Sequence, residues 1–192
     1  NFMIGNGYLG YRGTFSDDRK AEYAGCIVTD TWDNADGKWE ELVNVPNALY
    51  SKFYIDSTPL TMDQNYGHFK RELNLKKGLT SRDITFEKDD VHVSVKESKY
   101  AHMKHKNLVS LKVEFLSNED VDLVIDTGID TDVWSINGDH FKSIDSFYND
   151  ALFGVKVKTS TSDDEIIVLE KHHLTNPVQQ ITGEKGLFAN QY

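Results

Sequence analysis

Val91-His92-Val93-Ser94-Val95-Lys96 decides the fold class. Apolar and polar residues alternate with a period of two, so the apolar set shares one face of an extended chain, as a half-buried strand requires. Working outward, Val109, Leu111, Val113 and Phe115 stand opposite Ser110, Lys112 and Glu114. Val121, Leu123 and Ile125 repeat the pattern, as do Phe153, Val155 and Val157 against Lys156 and Lys158. Val93, Leu111, Val113, Leu123, Val155 and Val157 are therefore expected to point inward. Ile166-Ile167-Val168-Leu169 reads as a strand buried on both faces. Turn signals at Lys77-Gly78, Lys88-Asp89-Asp90, Ser117-Asn118-Glu119-Asp120 and Thr161-Ser162-Asp163-Asp164 separate these runs and predict hairpins. No window places apolar residues at helical spacing for long enough to nucleate a helix. An all-β domain of two packed antiparallel sheets follows.

The chain has 192 residues, a net charge of −10 and 39% apolar residues, which suits a globular domain and excludes a disordered chain or a small disulfide scaffold. Its 31 acidic residues against 21 Lys and Arg would repel a phosphate backbone, so nucleic acid is not an expected partner. The single cysteine, Cys26, lies in the apolar run Cys26-Ile27-Val28 and reads as a buried thiol in a reducing compartment. No apolar stretch approaches the roughly 20 residues of a membrane helix, so no membrane partner is expected and a cytoplasmic location is. The opening Asn1-Phe2-Met3-Ile4 enters an apolar segment without an initiator methionine, which suggests a fragment of a longer chain.

Residues 29–47 and 127–140 resist the strand reading and are expected to be long loops, which tend to be functional. They carry Trp32, Trp39 and Trp134, whose flat apolar faces suit either a sugar ring or a pocket on a neighbouring domain. Burial in the domain's own core is the competing reading. Asp33, Asn34, Asp36 and Gly37 invite a calcium loop, but placing Gly37 at the sixth position puts Trp32 and Val43 where carboxylates are required. Asp126, Asp130, Asp132, Asp139 and His140 crowd a short stretch where a carboxylate pair could serve sugar hydrolysis. Asx turns made by Asp130 and Asp132 explain them more simply. His102 and His105 lack a third metal ligand nearby, no serine sits in a GxSxG elbow, and no helix follows Gly5-Asn6-Gly7-Tyr8-Leu9-Gly10 to make a dinucleotide loop.

Four motifs carry a family resemblance. They are Ile4-Gly5-Asn6-Gly7-Tyr8-Leu9-Gly10-Tyr11-Arg12-Gly13, Glu41-Leu42-Val43-Asn44-Val45-Pro46-Asn47, Leu73-Asn74-Leu75-Lys76-Lys77-Gly78-Leu79-Thr80-Ser81-Arg82, and Ile125-Asp126-Thr127-Gly128-Ile129-Asp130-Thr131-Asp132-Val133-Trp134 with Asn137-Gly138 and His140-Phe141. In order and spacing the chain resembles the N-terminal domain of glycoside hydrolase family 65, which includes inverting maltose, nigerose, kojibiose and trehalose phosphorylases. Asn74, Leu75 and Thr80 depart from the third motif, and Asp139 replaces a proline in the fourth. The resemblance implies an all-β, two-layer antiparallel supersandwich of the galactose mutarotase-like type over residues 1–192. It further implies an absent C-terminal (α/α)6 catalytic barrel as partner, a homodimer, an α-glucosyl disaccharide substrate, no cofactor, and inorganic phosphate as co-substrate of the parent enzyme. No catalytic residue carries over. Trp32, Trp39, Trp134, Asp130, Asp132, Asn137 and His140 are the expected substrate or interface loop residues. A stand-alone mutarotase-like epimerase, with His102 and His105 as candidates, and a carbohydrate-binding module are the alternatives.

Overall fold

The structure is a computed structural model that describes residues 2–35, 37, 39–149, 152–175, 179–182 and 187–191. Among the described residues, sixteen strands, all paired antiparallel, form four sheets. The first contains β1 (Met3–Gly5), β2 (Leu9–Arg12), β3 (Cys26–Asp33) and β4 (Glu41–Val45). A second contains β7 (Tyr66–Asn74), β8 (Leu79–Lys88), β9 (Val91–Ala101) and β10 (Val109–Ser117). β5 (Asn47–Ile55), β6 (Thr58–Pro59), β11 (Leu123–Asp130), β15 (Gln179–Thr182) and β16 (Leu187–Gln191) make the third. The fourth is β12 (Phe141–Asn149), β13 (Leu152–Thr159) and β14 (Glu165–Lys171). Among the described residues the only helical element is a 3₁₀ turn, Lys20–Glu22.

Two cores hold the layers together. Phe53, Ile55 and Leu60 meet Ile84, Phe86, Val93 and Val95, which joins the β5–β11 layer to the β7–β10 layer. Ile4, Tyr11, Cys26, Val45, Leu49, Ile129, Phe153, Val155, Val157 and Ile166 form the other, across the first, third and fourth sheets. Val93, Val95, Val155 and Val157 are buried, and Leu111, Val113 and Leu123 are half-buried against these cores, as the alternation requires. A one-residue slip in β9 would turn its whole apolar set outward. Cys26 is buried, and burial pushes its thiol up to about 12.

The structure corrects two expectations. β14 is one-sided: Ile166 is buried, whereas Ile167 and Leu169 are exposed, so the continuous apolar run does not mark a strand covered on both faces. Leu169 instead sits opposite Gly154, whose added Cβ would collide with the Phe147 ring, so an apolar patch lies on the outside of that sheet. The segments 29–47 and 127–140 are also shorter as loops than expected. Residues 29–33 continue β3, 41–45 form β4, and 127–130 end β11, which leaves 34–40 and 131–140 between elements. Residues 29–33 and 127–130 each carry a single large apolar residue, Trp32 and Ile129, so neither shows the alternation that marks a strand.

Candidate functional site

β3 and β4 pair out of register, with Ile27 opposite Asn44 but Trp32 opposite Leu42. The extra residues in β3 bulge outward with Asp30 at φ 64°, and the Thr31 hydroxyl donates to the Val28 carbonyl, which closes the bulge. Bulges re-aim side chains. Here the bulge leaves Trp32 about half exposed (48%) and sets Asp33 directly opposite Glu41.

Two carboxylates facing each other across a ladder repel. His140 resolves that conflict, because its Nδ1 lies 2.8 Å from Asp33 Oδ2 and its Nε2 lies 2.6 Å from Glu41 Oε1. Carboxylates only accept, so both ring nitrogens must donate and the ring is an imidazolium. Burial pulls the His140 pKa down, but the hydrogen bonds to Glu41 and Asp33 outweigh it and the net shift is upward. Burial likewise pushes Asp33 up, yet hydrogen bonds from Ser162 N–H, His140, Thr161 N–H and Ala35 N–H bring it down to about 2. Asp33 thereby ties β3 to the β13–β14 turn as well as to the 131–140 loop.

The same loop is fastened along its length. Asn137 donates its backbone N–H to Glu41 at 2.9 Å and its side-chain amide to the Trp39 carbonyl at 2.7 Å. Asn44 donates to the Trp134 carbonyl. Asp130 receives Arg19 through Nε and Nη2, both at 2.8 Å, and takes the Asp132 backbone N–H at 3.1 Å, which is the Asx turn expected of Asp130, whereas the Asp132 carboxylate meets Lys20 in place of its own loop backbone. Asp132 and Asp139 share the Lys20 ammonium. Trp134 is half-buried, with its ring edge-on to Tyr23 at 5.1 Å.

The structure thus brings Asp130, Asp132, Asn137, His140, Trp39 and Trp134 onto one fastened pair of loops, with Trp32 on the strand beside them. Trp39 is 54% exposed, and Tyr23 and Ile136 are exposed on the same segments. Asp33, Glu41, Asp130, Asp132 and Asp139 each meet a cation, Asp30 and Glu40 stay exposed, and Trp32, Trp39, Tyr23 and Ile136 add open aromatic and apolar surface. Arg19, Asp33 and Glu41 were not among the site residues read from sequence. Glu41 does stand in one of the four motifs, which was the available signal. Among the described residues no group of three or more His, Cys, Asp or Glu is placed to hold a metal ion. Asp36 of the rejected calcium loop lies outside the described residues. His102 spends its Nδ1 on the backbone N–H groups of Lys104 and His105, so its ring supports a turn. Asn6 fastens that turn to the first hairpin through the His102 and Lys106 carbonyls.

Comparison with known proteins adds a family and relatives. The model described as glycosyl hydrolase family 65, N-terminal domain, matches residues 1–192. The chain is 48% identical over 171 residues to a 1,2-alpha-glucosylglycerol phosphorylase of Bacillus selenitireducens, covering 88% of this chain and 22% of that protein. It is 32% identical over 145 residues to a nigerose phosphorylase of Lachnoclostridium phytofermentans, covering 75% of this chain and 19% of that protein. A solved chain from the human microbiome, provisionally described as a kojibiose phosphorylase, superimposes with a TM-score of 0.85 over 98% of this chain and 27% of its own length. At 18% identity that likeness concerns the fold. The chain spans about a fifth of the length of the curated relatives it matches.

Proposed function

This chain belongs to the glycosyl hydrolase family 65 N-terminal domain family, and on that premise we propose that it is a supporting domain of a phosphorylase acting on α-glucosides, with the chemistry carried elsewhere in the enzyme. The similarity to phosphorylases of glucosylglycerol and nigerose supports that substrate class. One observation carries the supporting role: Asp33, Glu41, Asp130, Asp132 and Asp139 are engaged by His140, Arg19 and Lys20, so among the described residues no buried carboxylate of the tryptophan corner is left as a poised acid or base. Glycoside cleavage needs a poised acid and a clear approach for the nucleophile.

In this reading the domain packs on an (α/α)6 barrel, contributes to a homodimer and lends Trp32, Trp39 and Trp134 to an interface or to the substrate entrance. Inorganic phosphate is the co-substrate of the whole enzyme, no cofactor is needed from this domain, and a reducing cytoplasm suits its single buried thiol. The 192-residue chain, incubated with phosphate and glucosylglycerol, nigerose, kojibiose or maltose, is expected to release no glucose 1-phosphate above a heat-killed control. Release at a rate comparable to the full-length protein would refute the assignment. The exposed indoles also favour a second reading, a carbohydrate-binding module. Saturable quenching of tryptophan fluorescence by a glucoside in the isolated chain, abolished in Trp39→Ala, would select that reading instead.

A further inference from the structure

The fourth sheet stops at a strand exposed on both of its faces. β12 pairs with β13 along one edge and has no neighbouring strand on the other among the described residues. Directly opposite residues of an antiparallel pair share a face. Ile144, opposite Val157, and Tyr148, opposite Phe153, therefore lie on the side of the core, and Phe147, opposite Gly154, lies on the outside. Val157 and Phe153 are buried, yet one strand away Ile144 is 50% and Tyr148 46% exposed. The core runs out beneath β12 while the apolar sequence continues. On the outer face the Phe147 ring lies across Gly154 beside Leu169, and Phe147, Ile167 and Leu169 are all about half exposed.

Free sheet edges are normally guarded by charge, proline or a bulge, because their unpaired N–H and C=O groups recruit other strands. The edges of the second sheet follow that rule. β7 carries Lys70, Arg71 and Glu72 with a register break between Tyr66 and His68, β10 carries Lys112 and Glu114, and ion pairs join Lys70 to Glu72 and Lys112 to Glu114. β12 has nine residues, no proline, and only Lys142 and Asp145 as charges. Lys142 sits at the register shift beside Phe141 and is drawn to Asp163 in the β13–β14 turn, which leaves residues 143–149 in regular pairing and guarded by Asp145 alone. Lys156 and Lys158 beside the outer patch are matched by Glu165 and Asp163. What this edge offers is backbone and hydrocarbon, with little net charge.

We propose that the free edge of β12 is the docking site for an extended segment of the same polypeptide lying outside residues 1–192, which adds a strand to the fourth sheet and covers Ile144 on one face and Phe147 on the other. This rests on the reading of the chain as one domain of a longer enzyme. Some four fifths of the length of the curated relatives lies outside the region matched here, so the same polypeptide has ample length to supply the strand. Tethering makes its docking an intramolecular step. A second copy, also of net charge −10, would have to be gathered from dilute solution against mutual repulsion. Strand addition supplies main-chain hydrogen bonds to the open edge and sends alternate side chains to its two apolar faces.

The test places a photo-crosslinking side chain in the full-length protein, as Phe147→p-benzoylphenylalanine, with Leu116→p-benzoylphenylalanine on exposed β10 as the reference for background labelling. Irradiated protein is run on a denaturing gel and digested for mass spectrometry, and hydrogen exchange of residues 143–148 is followed in the wild type. The expected result is an adduct at monomer mass on a peptide outside residues 1–192, with every amide of 143–148 exchanging at least about tenfold more slowly than the open-edge amides of β10 at all protein concentrations. Adducts confined to residues 1–192, or rapid exchange of alternate β12 amides, would overturn the proposal. A band of doubled mass, with protection lost on dilution, would overturn it in favour of a second copy. Ile144→p-benzoylphenylalanine, on the other face of the strand, repeats the map if the Phe147 variant does not fold. The readout is a covalent map and not a rate, so its failure is distinct from a failure of the glucose 1-phosphate assay.

Discussion

The β8–β9 hairpin and the tryptophan corner are built on opposite principles. Residues Leu79–Lys88 and Val91–Ala101 pair in an unbroken register, and Ile84, Phe86, Val93 and Val95 bury a continuous apolar face. The corner has a register break in β3, and its fasteners are an imidazolium between two carboxylates and a two-pronged Arg19–Asp130 pair. Apolar burial is non-directional and tolerates small shifts, whereas hydrogen-bonded ions fix geometry but cost desolvation. A domain that must present aromatic side chains at set positions gains from the second kind of construction, and a domain that must simply stay folded gains from the first.

The largest effect separating the two regions is expected in the hairpin. Val95→Asp places an unpaired carboxylate where no solvent reaches, and loss of the cooperative thermal transition should be seen by circular dichroism. Phe53→Ala, which empties the same core of a ring packed edge-on to Phe115 at 5.0 Å, should cost about 3–5 kcal/mol in chemical denaturation.

The corner comes next. His140→Ala leaves Asp33 and Glu41 facing each other with no cation between them, and a loss of about 3–5 kcal/mol is expected in denaturant titration. Hydrogen exchange in the same variant should accelerate across residues 131–140 while β8 and β9 stay protected, because local opening follows local contacts. Uniform acceleration across both regions would mean that the corner is part of the global core.

A pH series sharpens the contrast. The folded pKa of His140 is raised above its ordinary 6.5, so its contribution is complete below 6.5 and is lost as pH climbs through the folded value. Asp33 is lowered from 3.8 to about 2, so its contribution is complete above 3.8 and is lost as pH falls toward 2. The difference in melting temperature between the wild type and His140→Gln should therefore peak between these limits and shrink on either side. The corresponding difference for Phe53→Ala should stay nearly flat with pH. The smallest effect belongs to Leu75→Ser in the exposed β7–β8 turn, within about 0.5 kcal/mol of wild type.

The two regions also differed in how far they could be read from the sequence. Val91 to Lys96 announced its strand because alternation is local, and each inward residue needs only to be apolar. Ile166 to Leu169 misled, since four apolar residues in a row do not say whether the outer face is covered, and Ile167 and Leu169 proved exposed. Asp33 to Glu41 was harder still. Its strands do not alternate cleanly, and the residue that makes the two carboxylates compatible, His140, is 107 positions from Asp33. Asp130 was visible as a turn former, and the Asp132 N–H bond matches that reading, but nothing local pointed to Arg19, which lies 111 positions away. Long-range charge pairing carries no periodic mark, so motif resemblance located these segments while their chemistry awaited three-dimensional contacts.

The central claim is that the corner holds its tryptophans rigid for the rest of the enzyme and performs no chemistry itself. The most direct measurement is the steady-state kinetics and dimer dissociation of the full-length protein carrying Trp39→Ala, set beside the denaturation curve of the isolated chain with the same change. An exposed anchor that docks elsewhere should cost the isolated chain less than about 0.5 kcal/mol yet weaken assembly or raise KM by an amount equivalent to about 2 kcal/mol. Unchanged kcat, KM and dimerisation in Trp39→Ala, with Trp32→Ala and Trp134→Ala behaving alike, would contradict it.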